Sequence, residues 1–480
     1  MASAAPLDAR VARAPVVVVG AGPVGLVLAA ALQRSGVDCI LVGALSQPPT
    51  SADAGPTVVA DHAARRPIAL SLASVRLLGN LDLWPLPGLG AGDADGRPLS
   101  SGQAIRRVHV SQRGRFGVVR MHAERLGVEA FGYVVDSDRL QQALLERVTR
   151  IASVATGLRL MDGRVRDLSD RGVSAIAGGC AGELRSVRLV AARDGDGSAR
   201  LSSSAVIETP LVCLTGGTGL LVHGVRERRR RYPQDAIATW VRVSRPAPGS
   251  AFERFHDGEP FGAGIMGLLP MGGDRYGLVW SLATGHAEFL ARCDATAFIG
   301  ALQSQLGRRL GRVLEVGSRR LFPLALELRR VVGQPRVLLL GGAARRLHPV
   351  AGQALNLALR DVAELVEQLG VARRDGLDVG SATLIERFHQ RRFGDRARVG
   401  IATHALVRGF SLRGGLPAML RGLGMFGLDL ADPIKLSLAA HAAGLGPGGA
   451  SLIGMDPAAS SLSNIDAGDI DADGGEEVWC

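Results

Sequence analysis

The chain predicts an α/β protein: a parallel-sheet lobe shaped for a dinucleotide, an inserted β-sheet lobe and a C-terminal helical region. Two buried-strand patterns, each followed by a glycine-rich turn and a helix, predict the first lobe. A length of 480 residues exceeds what one hydrophobic core ordinarily serves, and strand-like pieces between the two patterns supply the second.

The first pattern is VVVVGAGPVGLVLAAALQRSG, residues 16–36. Four valines suit a buried parallel strand, and Gly20, Gly22 and Gly25 follow in G-x-G-x-x-G spacing. In such a turn the first glycine permits the tight bend, the second lets backbone N–H groups approach a pyrophosphate, and the third allows close helix-to-strand packing. The anion then meets free N–H donors at the positive end of a helix, so the lobe is Rossmann-like. A positive φ at Gly22, closed to a branched residue, is a further expectation. The helix stops at Ser35-Gly36. Three glycines and Pro23 argue against reading the apolar stretch from Pro15 to Leu32 as a membrane span or signal segment.

Further along, the run Leu189–Ala192 leads into Asp194-Gly195, and residues 206–325 hold strand-like pieces such as IATWVRVSR and DRYGLVWSL. The second pattern, RVLLLGGAARRLHPVAGQALNLALRDVAELVEQL, predicts a strand over Val337–Leu340, a loop at Gly341-Gly342 and a helix ending near Leu369-Gly370. Residues 401–445 are helical pieces rich in Leu, Met and Phe, with Arg408, Arg413, Arg421 and Lys435 as their basic groups. The acidic tail has the composition of a disordered segment. The expected division is 14–84, 132–205 and 326–372 for the dinucleotide lobe, and 85–131 and 206–325 for the inserted lobe. Residues 380–450 form the helical region and 451–480 the tail.

The net charge is +11 although the tail holds seven acids and no base. Lys435 is the one lysine, and no aromatic residues interleave the arginines as a single-strand nucleic-acid platform requires. The run Arg226–Arg231 reads as a solvated surface, with attraction to anionic lipid or acidic partners as its functional reading. Five scattered cysteines lack metal-ligand spacing and suit reduced thiols in a cytoplasmic protein.

Taken in order, the first glycine motif, Arg66-Pro67-Ile68-Ala69-Leu70-Ser71, IRRVHVSQRGRFG, FGYVV, Asp194-Gly195 and HPVAGQALNLALRD resemble the class A flavin-dependent aromatic monooxygenases. More closely, they resemble the ubiquinone-biosynthesis hydroxylases, over most of residues 14–440. The resemblance implies an extended FAD, its pyrophosphate at Gly20, Gly22 and Gly25 and its ring between the lobes. It implies that Pro349 and Gly352 shape the turn before a helix aimed at the flavin, with polar contacts from Gln353 and Asn356. Arg66 then stands near the flavin as a catalytic residue with His348, while Arg139, Gly341 and Gly342 contact the cofactor. Asp194 and Gly195 match a motif associated with FAD and NAD(P)H.

The implied reaction draws electrons from NAD(P)H and places one atom of molecular oxygen on a polyprenyl-phenol ring. The implied partners are other ubiquinone-biosynthesis proteins and the inner face of the membrane, met peripherally. Read singly, His348 also suits a helix-start residue, Asp194–Gly197 a plain turn and Arg66 a surface charge. The chain departs from the family pattern at Gly43, where a ribose-binding carboxylate is usual, and at Gly342, Ala64, Gly197 and Ala354. These departures keep two alternatives: a flavin-poor scaffold for the biosynthetic complex, and a hydroxylase of another aromatic metabolite. They also carry the expectation that a glutamate at position 43 tightens FAD binding.

Overall fold

The structure, a computed structural model, describes residues 12–45, 67–85, 102–114, 116–175, 181–190, 206–216, 224–256, 261–331, 336–346, 353–411 and 415–446. Arg66, Asp194, Gly195, His348, Pro349, Gly352 and the tail 451–480 lie outside the described residues. The helices are α1 (Pro23–Arg34), α2 (Leu72–Asn80), α3 (Ser137–Val154), α4 (Thr284–Arg292), α5 (Ala295–Leu306), α6 (Gly341–Ala344), α7 (Gln353–Arg374), α8 (Ala382–Ser411), α9 (Gly415–Leu430) and α10 (Asp432–Ala442).

The four valines form the central strand, Val16–Val19, of a five-stranded parallel sheet. Its order is Val337–Leu339, Leu211–Leu214, Val16–Val19, Cys39–Gly43, Leu158–Asp162. Such strands are apolar at every position because both faces are covered. Val16, Val18 and Leu41 face a core with α1, α3 and α7, while Val17, Val19 and Ile40 face one that includes Ile207. The chain leaves Val16–Val19 through α1 to a strand on one side and later returns to Leu211–Leu214 on the other. The strand order therefore reverses at the carboxyl end of Val16–Val19, where open α/β sheets have their ligand crevice.

Two boundaries differ from the expected division. Leu211–Leu214 belongs to the parallel sheet and Val206–Thr209 to the antiparallel meander beside it, so residues 206–216 complete the dinucleotide lobe. The strand Arg320–Val331 carries residues 326–331 into the other sheet. A four-residue apolar run reads alike in either sheet, and only pairing decides which it joins. Helix α7 also runs past Gly370, which is buried within it; the chain turns at Gly376, φ +66°.

The inserted lobe is a mainly antiparallel sheet in the order Arg345–Arg346, Arg320–Val331, Val225–Val243, Arg275–Ala283, Gly264–Gly272, Ser250–His256, Arg107–Gln112, Val118–His122. Alternate residues of its central strands, among them Leu268, Leu278 and Trp280, pack with Phe298 and Leu302 of α5 and with Leu290 of α4. The opposite face looks toward the dinucleotide lobe and α9. The Arg226–Arg231 run lies exposed along Val225–Val243; there Arg229 and Arg329 reach the buried Glu327 at 3.3 and 2.8 Å.

Candidate active site

At the phosphate turn each glycine has a separate reason. Gly20 has φ +113°, and a Cβ there would stand 2.8 Å from Thr215 Oγ1. At Gly25 a Cβ would stand 1.9 Å from the Gly20 carbonyl oxygen, so the helix reaches the strand only through a hydrogen. Gly22 is different: its φ is −75°, contrary to the expected positive value, and a Cβ there meets nothing within 4 Å. Its glycine keeps space open in front of α1 and supplies no unusual backbone angle. The first turn of α1 has no side-chain cap, which leaves its N–H groups to an incoming anion. This cradle fits a pyrophosphate.

Residues remote in sequence close the turn. Thr215 Oγ1 lies 3.0 Å from the carbonyl oxygens of both Val19 and Gly20, holding the strand end in shape. Gln141 of α3 donates its amide to the Ala21 carbonyl, and Asp136 caps the first turn of α3 by accepting from Asp138 and Arg139 N–H at 3.0 Å. Gly341, φ +54°, is buried against α1: a Cβ would meet Val24 Cγ2 at 3.0 Å. Gly342 beside it is exposed. No local pattern marks Thr215 or Gln141, since each acts only through the crossover that brings it here.

Gly43 corrects the expectation about position 43. A Cβ there would lie 2.5 Å from the Ala21 backbone nitrogen and 2.7 Å from the Ala21 Cβ. The strand end is closed onto the phosphate turn, so a glutamate displaces backbone and does not simply fill a missing contact. The nearest carboxylate in register is Asp162, which accepts from Leu45 N–H at 2.9 Å.

The start of α7 forms the second part of the site. Asn356 is 1% exposed; its Oδ1 accepts from Ser71 N–H and Ser74 Oγ at 2.8 Å, and its Nδ2 donates to the Ala69 carbonyl at 2.9 Å. It thus ties α7 to the strand Pro67–Ser71 that follows Arg66. Gln353 Nε2 lies 3.5 Å from the Ala442 carbonyl oxygen at the end of α10, and Ala73 N–H donates to Ala443 at 3.0 Å. Two turns on, the wholly buried Asp361 accepts from Arg345 Nη2 and Arg392 Nε at 2.7 Å and from Arg396 Nε at 3.2 Å. Burial alone would raise its carboxyl pKa; the three guanidinium groups outweigh burial and hold it below the carboxylate range. Arg360 and Arg392 in turn bind Asp395 of α8, which locks α7 to α8. The buried thiols are inert: burial drives Cys39 up to about 12.

A family model described as an FAD binding domain matches residues 13–54 and 227–394. Over 438 residues the chain is 32% identical to ubiquinone hydroxylase UbiL of Rhodospirillum rubrum, covering 90% of this chain and 91% of that protein. The chain belongs to the FAD-dependent ubiquinone-biosynthesis hydroxylases. This hydroxylase is also 26% identical over 435 residues to the 3-demethoxyubiquinol 3-hydroxylase of Escherichia coli, covering 90% of this chain and 98% of that one. Its fold is that of PqsL, a probable FAD-dependent monooxygenase from Pseudomonas aeruginosa, with a TM-score of 0.59 at 18% identity, over 86% of this chain and 100% of that chain. It is an FAD-dependent aromatic monooxygenase, with NAD(P)H and molecular oxygen as the co-reactants typical of the family.

Proposed function

We propose that this hydroxylase places one hydroxyl group on the ring of a polyprenyl-phenol in ubiquinone biosynthesis. FAD, when bound, supplies the reducing and oxygen-activating chemistry. The observation that carries the reading is the convergence at one crevice of the open space before Gly22, the uncapped start of α1 and the buried Gly341 that opens α6. Gly20, Gly22, Gly25, Gly341 and Gly342 hold the pyrophosphate and its neighbouring hydroxyls, with Arg139 and Gln141 along the adenosine side. Arg66, Asp194 and Gly195 complete the cofactor contacts.

In this reading Pro349 and Gly352 belong to the segment that leads into α7, whose positive end, with Gln353, would stabilise charge on the reduced ring. Asn356 positions this helix start by binding the strand after Arg66. This reading assigns to Arg66 and His348 the orienting of the reacting ring and the movement of protons.

A peripheral membrane contact serves this substrate. Met419, Leu423, Phe426 and Leu430 recur on one side of α9 and are exposed, as are Ile434 and Leu438 of α10, whose far end touches Gln353. No helix among the described residues is long and apolar enough to cross a membrane. The relatives' role in ubiquinone biosynthesis supports contact with other proteins of that route.

The test is a visible spectrum with FAD quantification on the purified protein, followed by complementation of a bacterium lacking its ring hydroxylase. Stoichiometric flavin and a return of ubiquinone support the enzyme reading. Ubiquinone support that persists in a flavin-free Gly22→Val variant favours the scaffold.

A further inference from the structure

The sheet of the inserted lobe has one face whose central residues remain partly accessible although both faces are covered. By register, one row across it is Ala238, Val279, Gly267, Glu253, Val110, Val119, and the adjacent row is Trp240, Gly277, Leu269, Ala251, Val108, Met121. Ala238, Trp240, Val279, Gly267, Leu269, Val108 and Val110 are all half-buried, whereas their neighbours on the opposite face, such as Leu268, Leu278 and Ile237, are fully buried. Together they form a partly accessible apolar patch on this face, beside the buried Ala251 and Gly277.

The patch is mostly apolar and includes the open side of Gly267, where a Cβ meets only the Val279 carbonyl oxygen at 3.9 Å. One acid, Glu253, stands in the middle of it. Among the described residues its carboxylate has no hydrogen-bond or ion-pair partner, although an unpaired carboxylate in such surroundings costs stability. The patch lies toward the strand Pro67–Ser71. Gly277 packs against Pro67, which follows Arg66, and Glu253 lies two strands across and two residues along from Gly277, about 12 Å by strand geometry.

We propose that Glu253 accepts the hydrogen bond of the substrate's phenol hydroxyl, orients the ring on this patch and takes the hydroxyl proton as the ring is hydroxylated. The inference rests on the polyprenyl-phenol reading above. In the step, the phenol O–H bond breaks, its electron pair stays on oxygen and enriches the ring, and the proton forms a new O–H bond at a Glu253 carboxylate oxygen. Burial pushes the Glu253 carboxyl up to about 7, so near neutral pH it can both hold and release a proton. The neighbouring strands turn Val110, Gly267 and Val279 toward it. Among the described residues, the cations that reach the same face are Arg320, in register with Ala238, Arg275, 5.0 Å from the centre of the Trp240 ring, its register partner Arg242, and Arg421 of α9, which lies 3.5 Å from Gln112 Oε1; burial alone shifts Glu253.

The experiment binds 2-prenylphenol and its methyl ether to the FAD-loaded protein, followed by tryptophan fluorescence, to which Trp240 on this face contributes. Between pH 6 and pH 8 the wild type should gain about tenfold in affinity for the phenol and nothing for the ether, because only the ionised carboxylate makes the stronger bond. Glu253→Gln should flatten that dependence, Glu253→Asp should restore part of it, and hydroxylation by Glu253→Gln should fall about a hundredfold or more. A glutamine variant that keeps the pH-dependent preference overturns the proposal. So does a wild type for which phenol and ether behave alike, a comparison that needs no variant. A wild type that binds the phenol with the expected pH dependence yet forms no hydroxylated product refutes the parent reading and leaves the Glu253 contact standing.

Discussion

Replacing Asp361 with asparagine tests whether the helix carrying the flavin-side turn is held by buried charge. The substitution is nearly isosteric but leaves Arg345, Arg392 and Arg396 facing a neutral amide in a place that water does not reach. Breaking a buried ion pair on one side costs about 3–5 kcal/mol, set against a total stability of about 5–15 kcal/mol. With an unfolding entropy of about 2.1 cal/mol/K per residue, a cooperative unit of 480 residues should lose about 3–5 °C in Tm, and a lobe of half that size about twice as much.

The loss is also pH-dependent. Asp361 is held below its unfolded pKa, so its contribution is fully present above about pH 4 and disappears as pH falls through the lower folded value. The asparagine variant should therefore be weaker than wild type at pH 7 and converge with it in acid. Urea unfolding by circular dichroism and flavin fluorescence measures both. Adding Arg345→Gln removes one uncompensated cation and should recover about 1–2 kcal/mol. An asparagine variant within 1 kcal/mol of wild type at pH 7 refutes the reasoning.

The phosphate turn gives a contrasting pair. Gly25→Ala should lower the yield of folded protein together with its flavin, since its Cβ meets a backbone carbonyl, whereas Gly22→Val should fold normally and emerge without FAD; normal flavin content in the valine variant contradicts the assigned cradle. Gly43→Glu should destabilise the protein by about 1–3 kcal/mol and leave FAD affinity no tighter, because its Cβ is directed at Ala21. A calorimetric titration showing tighter FAD binding by a folded Gly43→Glu variant would restore the simple missing-carboxylate account.

Sequence alone determined the parts of this protein that are local. Four valines, three glycines at fixed spacing and an apolar helix follow one another within 21 residues, so the strand, turn and helix of the phosphate site are legible where they stand. The same holds for the strand before Gly341 and for the long helix α7, although the glycines expected as a loop at Gly341-Gly342 open the short helix α6. The tertiary structure decided what depends on residues far apart. Thr215 reaches the first glycine from just past the end of a strand almost 200 positions away, Arg392 and Arg396 meet Asp361 from another helix, and Ala21 blocks the space behind Gly43. Glu253 reads as one more alternating residue in an amphipathic strand, and register with Val110 and Gly267 is what sets it among half-buried apolar neighbours. Periodicity fixes which way a side chain points within its own element, but the partner it meets is fixed by crossovers and strand pairing, which local spacing does not encode.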